Sequence, residues 1–263
     1  MKFLLQHNML AADQLEIIRH AVQDLPHEWV GLIPFSHEVV ADLPIDGVDY
    51  IPYGSTSLTN WAAESKFRGV FFDRSIFNYY QALQHRDDML NQPVFLGNLE
   101  TGIAILDEHE KDEMFFMRPS EDLKQFSGQV ISAGEAVVWL RSALECASSG
   151  NQQLLPNTQI VISKPVDIQA EWRWFIVGGK VVSGSMYRLR GHMHRERVVD
   201  QSVIDEAQLF ANKWLPSQCC VMDTALVGGE LKVIEFNCIN SSGMYDNDVP
   251  AIFTALYKFC EKM

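Results

Sequence analysis

Two carboxylates and an amide lie in two neighbouring strand-like segments towards the carboxyl end of the sequence. Glu235 and Asn237 are separated by one residue, so on a β-strand both side chains lie on the same face. Asp223 lies in the preceding segment, residues 220–227, and the Gly228-Gly229 pair between the two segments predicts a β-hairpin. These three side chains are the strongest candidates for a site that does chemistry.

The register of this hairpin decides whether the three side chains meet. With a two-residue turn, Asp223 would oppose Ile234 and lie on the other face of the hairpin. With a three-residue loop that includes Glu230, Asp223 opposes Glu235, and Ile234 lies on the opposite, apolar face. We favour the three-residue loop because it brings the oxygen-bearing side chains together.

Such a cluster needs a positive charge beside it. Two carboxylates about 4 Å apart repel each other by roughly 4 kcal/mol at an effective dielectric constant near 20. Carboxylate and amide oxygens favour a hard cation, and a site with few carboxylates suits Mg²⁺ that carries substrate phosphates. The sequence therefore predicts that Asp223, Glu235 and Asn237 bind Mg²⁺, the alternative being a solvated strand edge with incidental acids.

A second group of residues reverses the sign of the charge locally. Between residues 173 and 197 the only acidic residue is Glu196, although the whole chain has a net charge of −13. The cations of this span are Arg173, Lys180, Arg188, Arg190, Arg195 and Arg197. Arginine binds phosphates and carboxylates bidentately, so the span predicts an anion pocket, with an exposed hairpin of solvated charges as the alternative. We expect Arg173 and Arg188 to bind anions from outside their hairpin and the arginines further along to be more solvated.

Two further segments are weaker candidates. Arg118 ends a strand-like run, and Lys124 follows on a turn of small residues, so both could contact nucleotide phosphates. Residues 240–246 come directly after the acidic strand, and the hydroxyls of Ser241 and Ser242 could line the same site. A surface turn is the alternative for this second segment.

The elements that must position these residues form two blocks. In the first block strands alternate with helices, which is typical of a small α/β unit. Its predicted strands are residues 2–6, 30–35, 51–56 and 70–73, and its predicted helix is 12–23. The second block has predicted strands at 114–117 and 159–163, hairpins at 172–187 and 220–237, and helices at 134–147, 203–214 and 250–259.

Composition restricts the class of protein. The 263 residues are 47% hydrophobic and 21% charged, which excludes disordered, collagen-like and coiled-coil chains. The net charge of −13 gives no overall electrostatic footprint for nucleic acid or for an anionic membrane, so we expect neither as a partner. No stretch of 18 apolar residues occurs and the initial apolar run is short, so we expect no membrane span and no signal peptide.

Cysteine and histidine spacing argues against a structural metal site. The five cysteines form no C-x-x-C pair, and we expect reduced thiols in a cytoplasmic protein. His192 and His194 have a possible metal spacing, but no third ligand lies nearby in the sequence. The sequence also lacks a G-x-x-x-x-G-K-[ST] loop, a G-x-G-x-x-G turn after a strand and a G-x-S-x-G elbow, which argues against P-loop, Rossmann and α/β-hydrolase folds.

The order of the motifs resembles the ATP-grasp superfamily. The motifs in order are Arg118-Pro119 with Lys124, Val161-Ile-Ser-Lys-Pro165, Glu171-x-Arg173-x-Phe175, Ser185-x-Tyr187-Arg188, Asp223 and Glu235-x-Asn237. The series is most similar to the divergent bacterial and phage clade named for two arginines and a lysine. The resemblance covers roughly residues 110–263, and residues 50–91 resemble the N-terminal region of the family less specifically.

The resemblance implies a fold and a set of roles. The fold is α+β, with two α+β subdomains (about 93–165 and 166–263) that sandwich ATP, preceded by a small α/β N-terminal domain (1–92). The implied ATP-binding residues are Arg118, Lys124, Val161, Ser163, Lys164 and Glu171. The implied Mg²⁺ ligands are Asp223, Glu235 and Asn237, the implied catalytic residues are Arg173 and Arg188, and the implied substrate-binding residues are Tyr187, Ser241 and Ser242.

The resemblance also implies an activity. ATP-grasp enzymes usually phosphorylate a carboxylate, and an amine or thiol then attacks the acyl phosphate. The leading hypothesis is an ATP- and Mg²⁺-dependent ligase whose partners are ATP and a carboxylate on an amino acid, a peptide or a protein terminus. The alternative is a nucleotide-dependent binding or assembly factor, which turnover of ATP to ADP would distinguish. Neither hypothesis needs a side-chain nucleophile, so no cysteine has a catalytic role, and the oligomeric state is left open.

Overall fold

Three β-sheets and seven helices make up the part of the chain that the computed structural model describes, which is residues 1–8, 10–33, 39–40, 49–121, 126–148 and 154–263. The mixed α+β class predicted from the sequence is confirmed. None of the helices in these ranges has the length and hydropathy that a membrane span requires.

The first sheet is built from the N-terminal block. The elements are β1 (Lys2–Gln6), α1 (Ala12–Val22), β2 (His27–Leu32), β3 (Val39–Val40), β4 (Tyr50–Tyr53), α2 (Thr56–Glu64) and α3 (Tyr79–His85). The strand order is β3-β2-β1-β4, with β1 parallel to both β2 and β4. The predicted strand at residues 70–73 is wrong: this segment is irregular, and the amide of Phe71 donates to the side-chain oxygen of Asn240 instead (2.9 Å).

The second sheet is small and antiparallel. Its elements are β5 (Pro93–Asn98), α4 (Leu99–Asp107), β6 (Met114–Pro119), β7 (Gln129–Ser132), α5 (Ala133–Ser148) and β8 (Gln159–Ser163), and the strand order is β5-β8-β6-β7. Ile160 and Ile162 of β8 pack in a core with Leu99 of α4 and Leu140 of α5. Because side chains alternate along a strand, the helices cover one face of this sheet, and Val161 on the other face packs in the cluster that contains Trp174.

The third sheet has five antiparallel strands. Its elements are β9 (Ala170–Val177), β10 (Lys180–Leu189), β11 (His192–Arg197), α6 (Gln201–Lys213), β12 (Cys220–Val227), β13 (Glu230–Asn237) and α7 (Val249–Cys260), and the strand order is β11-β10-β9-β12-β13. Trp174 and Met222 pack in the core that includes residues of α6. Phe175 and Val221 point to the other face and pack with Phe253 of α7.

The N-terminal sheet shares this last core with α7. Phe3 of β1 and Ile51 of β4 belong to the same buried cluster as Phe175 and Phe253, and the rings of Phe3 and Phe253 lie 4.9 Å apart. The side chain of Asn240, after β13, donates to the carbonyls of Pro52 and Gly69 at 2.8 and 2.9 Å. The first sheet therefore packs, together with α7, on the face of the third sheet that carries Phe175 and Val221. The division into residues 1–92 and 93–263 stays a prediction.

In the β12–β13 hairpin Asp223 has the predicted partner, but a β-bulge and not the predicted loop is the cause. Asp223 does oppose Glu235, as expected. The three-residue loop is wrong, however, because Val227 pairs with Glu230 across a two-residue Gly-Gly turn whose φ values are +59° and +87°. The register shifts between Asp223 and Thr224, so that Ile234 is an extra residue in β13, a β-bulge.

The segment that follows α3 extends the third sheet beyond β13. The amide of Leu90 donates to the carbonyl of Val233 (2.7 Å), and the amide of Val233 donates to the carbonyl of Asp88 (2.9 Å). Asp, Asn and Pro are frequent in this segment, a composition that is typical of a linker. The backbone pairing places Leu90 and Asn91 at the rim of the cleft described below.

A buried ion pair holds this segment against α6. Arg86 binds both carboxylate oxygens of Asp88 (2.7 and 2.9 Å) and donates to the carbonyls of Phe210 and Trp214 at the end of α6. Lys213 also binds Asp88 (2.7 Å). Burial acts to raise the pKa of Asp88, but the hydrogen bonds from Arg86 and Lys213 outweigh burial and lower it. The Arg86 and Asp88 side chains are nearly inaccessible, so loss of Asp88 would leave the buried Arg86 charge without a carboxylate.

We expect Asp88→Asn to lower the free energy of unfolding by about 3 kcal/mol, the scale for a buried ion pair that loses one partner. Urea denaturation measures the loss, and Asp87→Asn is the matched control because the neighbouring Asp87 side chain is 94% exposed. The pKa of Asp88 is lower in the folded protein than in the unfolded chain, so ionised Asp88 stabilises the fold at a pH above the usual aspartate pKa. As the pH falls below the usual aspartate pKa, this stabilisation is lost, and the difference in unfolding free energy between the wild type and Asp88→Asn should shrink. Equal losses in the two variants would contradict this account.

Candidate active site

A cleft of about 500 Å³ separates the second sheet from the third. Phe116, Phe126 and Val130 form an apolar wall on the side of the second sheet, which the connection between the sheets continues with Val166 and Ile168. The polar floor comes from the third sheet. Its charged and phenolic residues are Glu171, Arg173, Tyr187, Arg188, Asp223 and Glu235. The fold thus brings seven of the fourteen predicted site residues to one cleft, namely these six and Arg118.

The centre of the floor is an ion pair between neighbouring strands. Asp223 of β12 lies directly opposite Arg173 of β9, and the guanidinium donates to both carboxylate oxygens, Nε to Oδ1 at 2.9 Å and Nη2 to Oδ2 at 2.6 Å. The remaining nitrogen, Nη1, donates to the carbonyl of Gly243 (3.2 Å). The Asp223 side chain is 2% exposed, so this pair is fixed in a dry environment. The expected contact of Arg173 with a phosphate or a substrate carboxylate stays a prediction, because this partner on β12 is a side chain of the protein itself.

Glu235 forms the second ion pair of the floor. Its carboxylate accepts a hydrogen bond from the Arg118 guanidinium, which reaches across the cleft from β6. The Asn237 amide lies between the two acids and donates to Asp223 Oδ2 (3.2 Å) and to Glu235 Oε1 (3.4 Å). The hairpin therefore brings Asp223, Glu235 and Asn237 together, as the sequence predicts. Ile234 is the exception: the bulge turns it towards the cleft beside Glu235, where the sequence predicted the opposite face.

The two acids have opposite pKa shifts. Burial raises the pKa of the Asp223 carboxyl, and the Arg173 guanidinium works against that rise. Burial acts in the same direction on Glu235, but Arg118, with help from Arg173 and Asn237, outweighs it and lowers the pKa of Glu235. The Glu235 carboxyl, which is 28% exposed, is thus the readily ionised member of the pair and the one that a ligand can reach.

A second polar group lies beside this centre. The Tyr187 hydroxyl donates to Glu171 Oε2 (2.7 Å), and Arg188 Nη1 donates to Glu171 Oε1 (3.1 Å). The register of β10 shifts between Met186 and Arg188, so a bulge at Tyr187 lets these two consecutive residues face the same cleft. Burial raises the pKa of the Tyr187 phenol, so it stays a proton donor. Glu171, the partner of Arg188 here, belongs to the same hairpin, and the expected contact of Arg188 with an anion from outside the hairpin stays a prediction.

Tyr245 is a site residue that the sequence reasoning missed. Its ring stacks on Tyr187 with centroids 4.9 Å apart and an interplanar angle of 9°. The guanidinium carbons of Arg173 and Arg195 lie 4.8 and 5.8 Å from the centroid of the same ring. Its φ of +46° is unfavourable for a bulky residue, so the surrounding contacts hold the ring in place. The segment 240–246 was singled out from the sequence, but for its serines.

Several predicted residues do not line the cleft. Val161 is fully buried in the core that contains Trp174. Lys164 forms an ion pair with Glu113 and lies over the ring of Phe115, with Nζ 4.5 Å from the centroid. The hydroxyl of Ser242 is buried and donates to the carbonyl of Cys238 (2.7 Å), which satisfies it locally. These contacts favour structural roles for Val161, Lys164 and Ser242.

Three more predicted residues complete the comparison. Ser163 is 1% exposed and its hydroxyl has no hydrogen-bond partner in the described ranges. It is paired across the sheet with Phe116, so it lies on the face that borders the cleft. Ser241 is half-buried outside the cleft lining. Lys124 lies outside the described residues.

The carboxylate and amide groups of the floor are of the type that binds a hard cation, but they already form ion pairs and hydrogen bonds within the protein. Asp223, Glu235 and Asn237 supply the carboxylate and amide oxygens that Mg²⁺ accepts. Within the described ranges no three His, Cys, Asp or Glu side chains are grouped closely enough to hold a metal, so a cation here depends on the Asn237 amide. Each acid is paired with an arginine, and the charges of the floor are balanced as they stand.

Solved structures share the fold over nearly the whole chain. A RimK domain ATP-grasp protein from Sphaerobacter thermophilus has a TM-score of 0.56 and 14% identity, covering 91% of each chain. D-alanyl-alanine synthetase A from Vibrio cholerae has a TM-score of 0.62 and 9% identity, covering 99% of this chain and 98% of its own. The ATP-grasp ligase PsnB in complex with minimal precursor, Mg and ADP has a TM-score of 0.55 and 11% identity, with 98% coverage of both chains.

The TM-scores show a common fold, and at such low sequence identity the similarity shows the fold alone. Among curated proteins no match is found. The sequence model of the ATP-grasp domain of R2K clade family 2 matches residues 95–255, which is more than half of the chain and includes the acids and arginines of the floor. The predicted resemblance is confirmed, and the chain belongs to the ATP-grasp superfamily, R2K clade family 2.

Proposed function

We propose that this protein is an ATP- and Mg²⁺-dependent ligase that joins a carboxylate to an amine or a thiol. The observation that carries the proposal is the floor of the cleft, where Asp223 and Glu235 lie beside Arg173, Arg118 and Arg188. Arrangements of this kind neutralise charge on a phosphoryl group in transfer, and catalysis then depends on positioning and electrostatics. The ligase structures that share the fold support the same reaction class.

The proposed reaction has two steps. A carboxylate oxygen of the acceptor forms a bond to the γ-phosphorus of ATP while the bond to the bridging oxygen breaks, and ADP leaves. The amine or thiol then attacks the carbonyl carbon of the acyl phosphate and gives up its proton to water, and inorganic phosphate leaves with the former carboxylate oxygen. Both steps move negative charge between oxygens, which is the charge that nearby guanidinium groups stabilise.

The ion pairs of the floor provide the sites for the nucleotide. Asp223, Glu235 and Asn237 would hold Mg²⁺, which when bound neutralises charge on the triphosphate. With Glu235 bound to the cation, the Arg118 guanidinium would be placed to bind a phosphate of ATP. Glu171 and Ser163 remain proposed contacts to ATP, as does Lys124. The apolar wall around Phe116 offers a dry surface for the base.

The structure supports different roles for the two arginines predicted as catalytic. Arg188 is half-exposed at the cleft, holds one oxygen of Glu171, and can turn to an incoming anion. The Arg173 side chain is only 12% exposed, and every guanidinium nitrogen donates to Asp223 or Gly243. We therefore assign to Arg188 contact with the γ-phosphate or the acceptor carboxylate, and to Arg173 the positioning of Asp223. Tyr187 orients Glu171 and, with Tyr245, borders the acceptor.

The experiment that tests the proposal is an acyl-phosphate trap. The protein is incubated with MgATP, hydroxylamine and one amino acid or dipeptide at a time, and ADP and hydroxamate are measured. Equal amounts of both products, dependent on the acceptor, are expected. Tight MgATP binding without either product would instead favour the nucleotide-dependent binding factor.

MgATP should stabilise the wild type, because a ligand at about 100 times its dissociation constant adds about 2.7 kcal/mol to the free energy of unfolding. The melting temperature should rise on the order of 5–10 °C. Glu235→Gln should lose most of the Mg²⁺-dependent part of this rise, measured by differential scanning fluorimetry. The matched control is Glu230→Gln on the same strand, where the side chain is exposed.

Mg²⁺ alone should give no rise, because Arg173 and Arg118 already neutralise both acids. The nucleotide site would be assigned wrongly if the wild type showed no rise at saturating MgATP, or if Glu230→Gln and Glu235→Gln lost it equally.

Arg188→Lys should separate binding from turnover. Lysine keeps the charge but cannot form two parallel hydrogen bonds, so the affinity for MgATP should stay within a few-fold while turnover falls by roughly 10²–10³. Isothermal titration measures the affinity, and ADP formation with the acceptor found in the trap measures the turnover. Arg141→Lys, a surface arginine of α5 paired with Asp107, is the control. Wild-type turnover in Arg188→Lys would remove Arg188 from the reaction.

A further inference from the structure

The strand β11 is an open edge of the third sheet. Its only strand neighbour in the described ranges is β10, and all of its residues are exposed except His194, which is half-buried. An edge strand presents a row of backbone N–H and C=O groups to which a second extended chain can bind by adding one more strand. The side chain of Met193, 75% exposed, lies in the middle of this edge.

Positive charge surrounds this edge. Arg190 and Arg195 are exposed, and neither has a carboxylate partner in the part of the chain that the structure describes. Glu196 is the only acid of β11, and its Oε2 forms a hydrogen bond with Nε2 of His194 (3.1 Å). In a protein with a net charge of −13, such a strip attracts an anionic chain, whereas two copies of the strip paired edge to edge would repel each other.

The edge is continuous with the floor of the cleft. Glu235, Asp223, Arg173, Ser185 and Arg197 are direct neighbours in one row across all five strands. The Arg195 guanidinium lies against the Tyr245 ring, which itself lines the cleft. A chain added outside β11 lies three strand spacings from the Arg173 strand, or about 14 Å, and about four extended residues span that distance.

We propose that β11 binds an extended acidic peptide by strand addition and that this peptide supplies the carboxylate substrate of the cleft. The proposal rests on the proposed ligase function and names its substrate class. Backbone hydrogen bonds to β11 hold the peptide, and Arg190 and Arg195 select its acidic side chains. The residues that follow pass Arg195 and Tyr245 and bring a carboxylate to Arg188.

The probe is a fluorescein-labelled decapeptide of alternating Glu and Thr with a free carboxyl terminus, titrated with the full chain and followed by anisotropy. The peptide should bind, and binding should weaken as the ionic strength rises. The double variant Arg190→Glu/Arg195→Glu should lose about tenfold or more in affinity, since each change replaces an attraction with a repulsion. Lys258→Glu, an exposed cation on α7, is the control and should bind as the wild type does.

Two further peptides test whether the backbone pairs with β11. One carries N-methyl groups on the odd residues and the other on the even residues. In an added strand only alternate N–H groups point to the neighbouring strand, so one peptide should lose binding and the other should keep it. Equal binding of the two peptides would overturn strand addition. Displacement of the acidic peptide by single-stranded oligouridylate, or equal binding of a Gln-Thr peptide, would overturn selection of an acidic chain.

The failure of this proposal is distinguishable from the failure of the ligase function. The rise in melting temperature with MgATP is measured on the same wild-type preparation without peptide. A rise with MgATP but no peptide binding would overturn docking at β11 and leave the ligase proposal standing. Peptide binding at β11 without any response to MgATP would support the docking edge and contradict the ATP-dependent ligase.

Discussion

The buried ion pair between Arg173 and Asp223 constrains the geometry of the whole floor. Two opposite charges that leave water together lose several kcal/mol of hydration each, and only good geometry and further hydrogen bonds compensate for that loss. Here both carboxylate oxygens accept from the guanidinium, Asn237 donates to one of them, and the Tyr245 ring covers the guanidinium face. The Asn237 amide also donates to Glu235, which forms an ion pair with Arg118 of β6. The Arg173–Asp223 pair is thereby linked to the wall of the cleft that the second sheet forms.

The surrounding architecture is rigid on one side and open on the other. Phe175 and Val221 continue the strands of the ion pair into a core shared with α7 and the N-terminal sheet. The opposite wall belongs to a separate sheet with its own core under α4 and α5, and Arg118 and its partner Glu235 bridge the gap. If a phosphate replaced Glu235 as the partner of Arg118, nucleotide binding would change the contact between the two sheets.

Sequence patterns predicted the elements well and the faces of side chains less well. Period-two alternation and the Gly-Gly pairs located both hairpins, because glycine alone readily adopts the positive φ of a tight turn. Side-chain direction failed at Ile234, where the ladder is irregular, since a bulge leaves no signal in alternation. Tyr245 had no local signal at all, because its place depends on Tyr187 and Arg173, which are distant in sequence.

The bulge at Ile234 makes one position of the cleft independent of the sheet that carries it. Val233 pairs with Thr224 and Glu235 pairs with Asp223, so the chain on either side of Ile234 is already in register without it. Loss of this single residue would leave a regular ladder with the acid pair intact and a wider cleft beside it. A lineage or an engineer can therefore change the size of the pocket at this point, by deletion as well as by substitution, while the charged centre keeps its geometry.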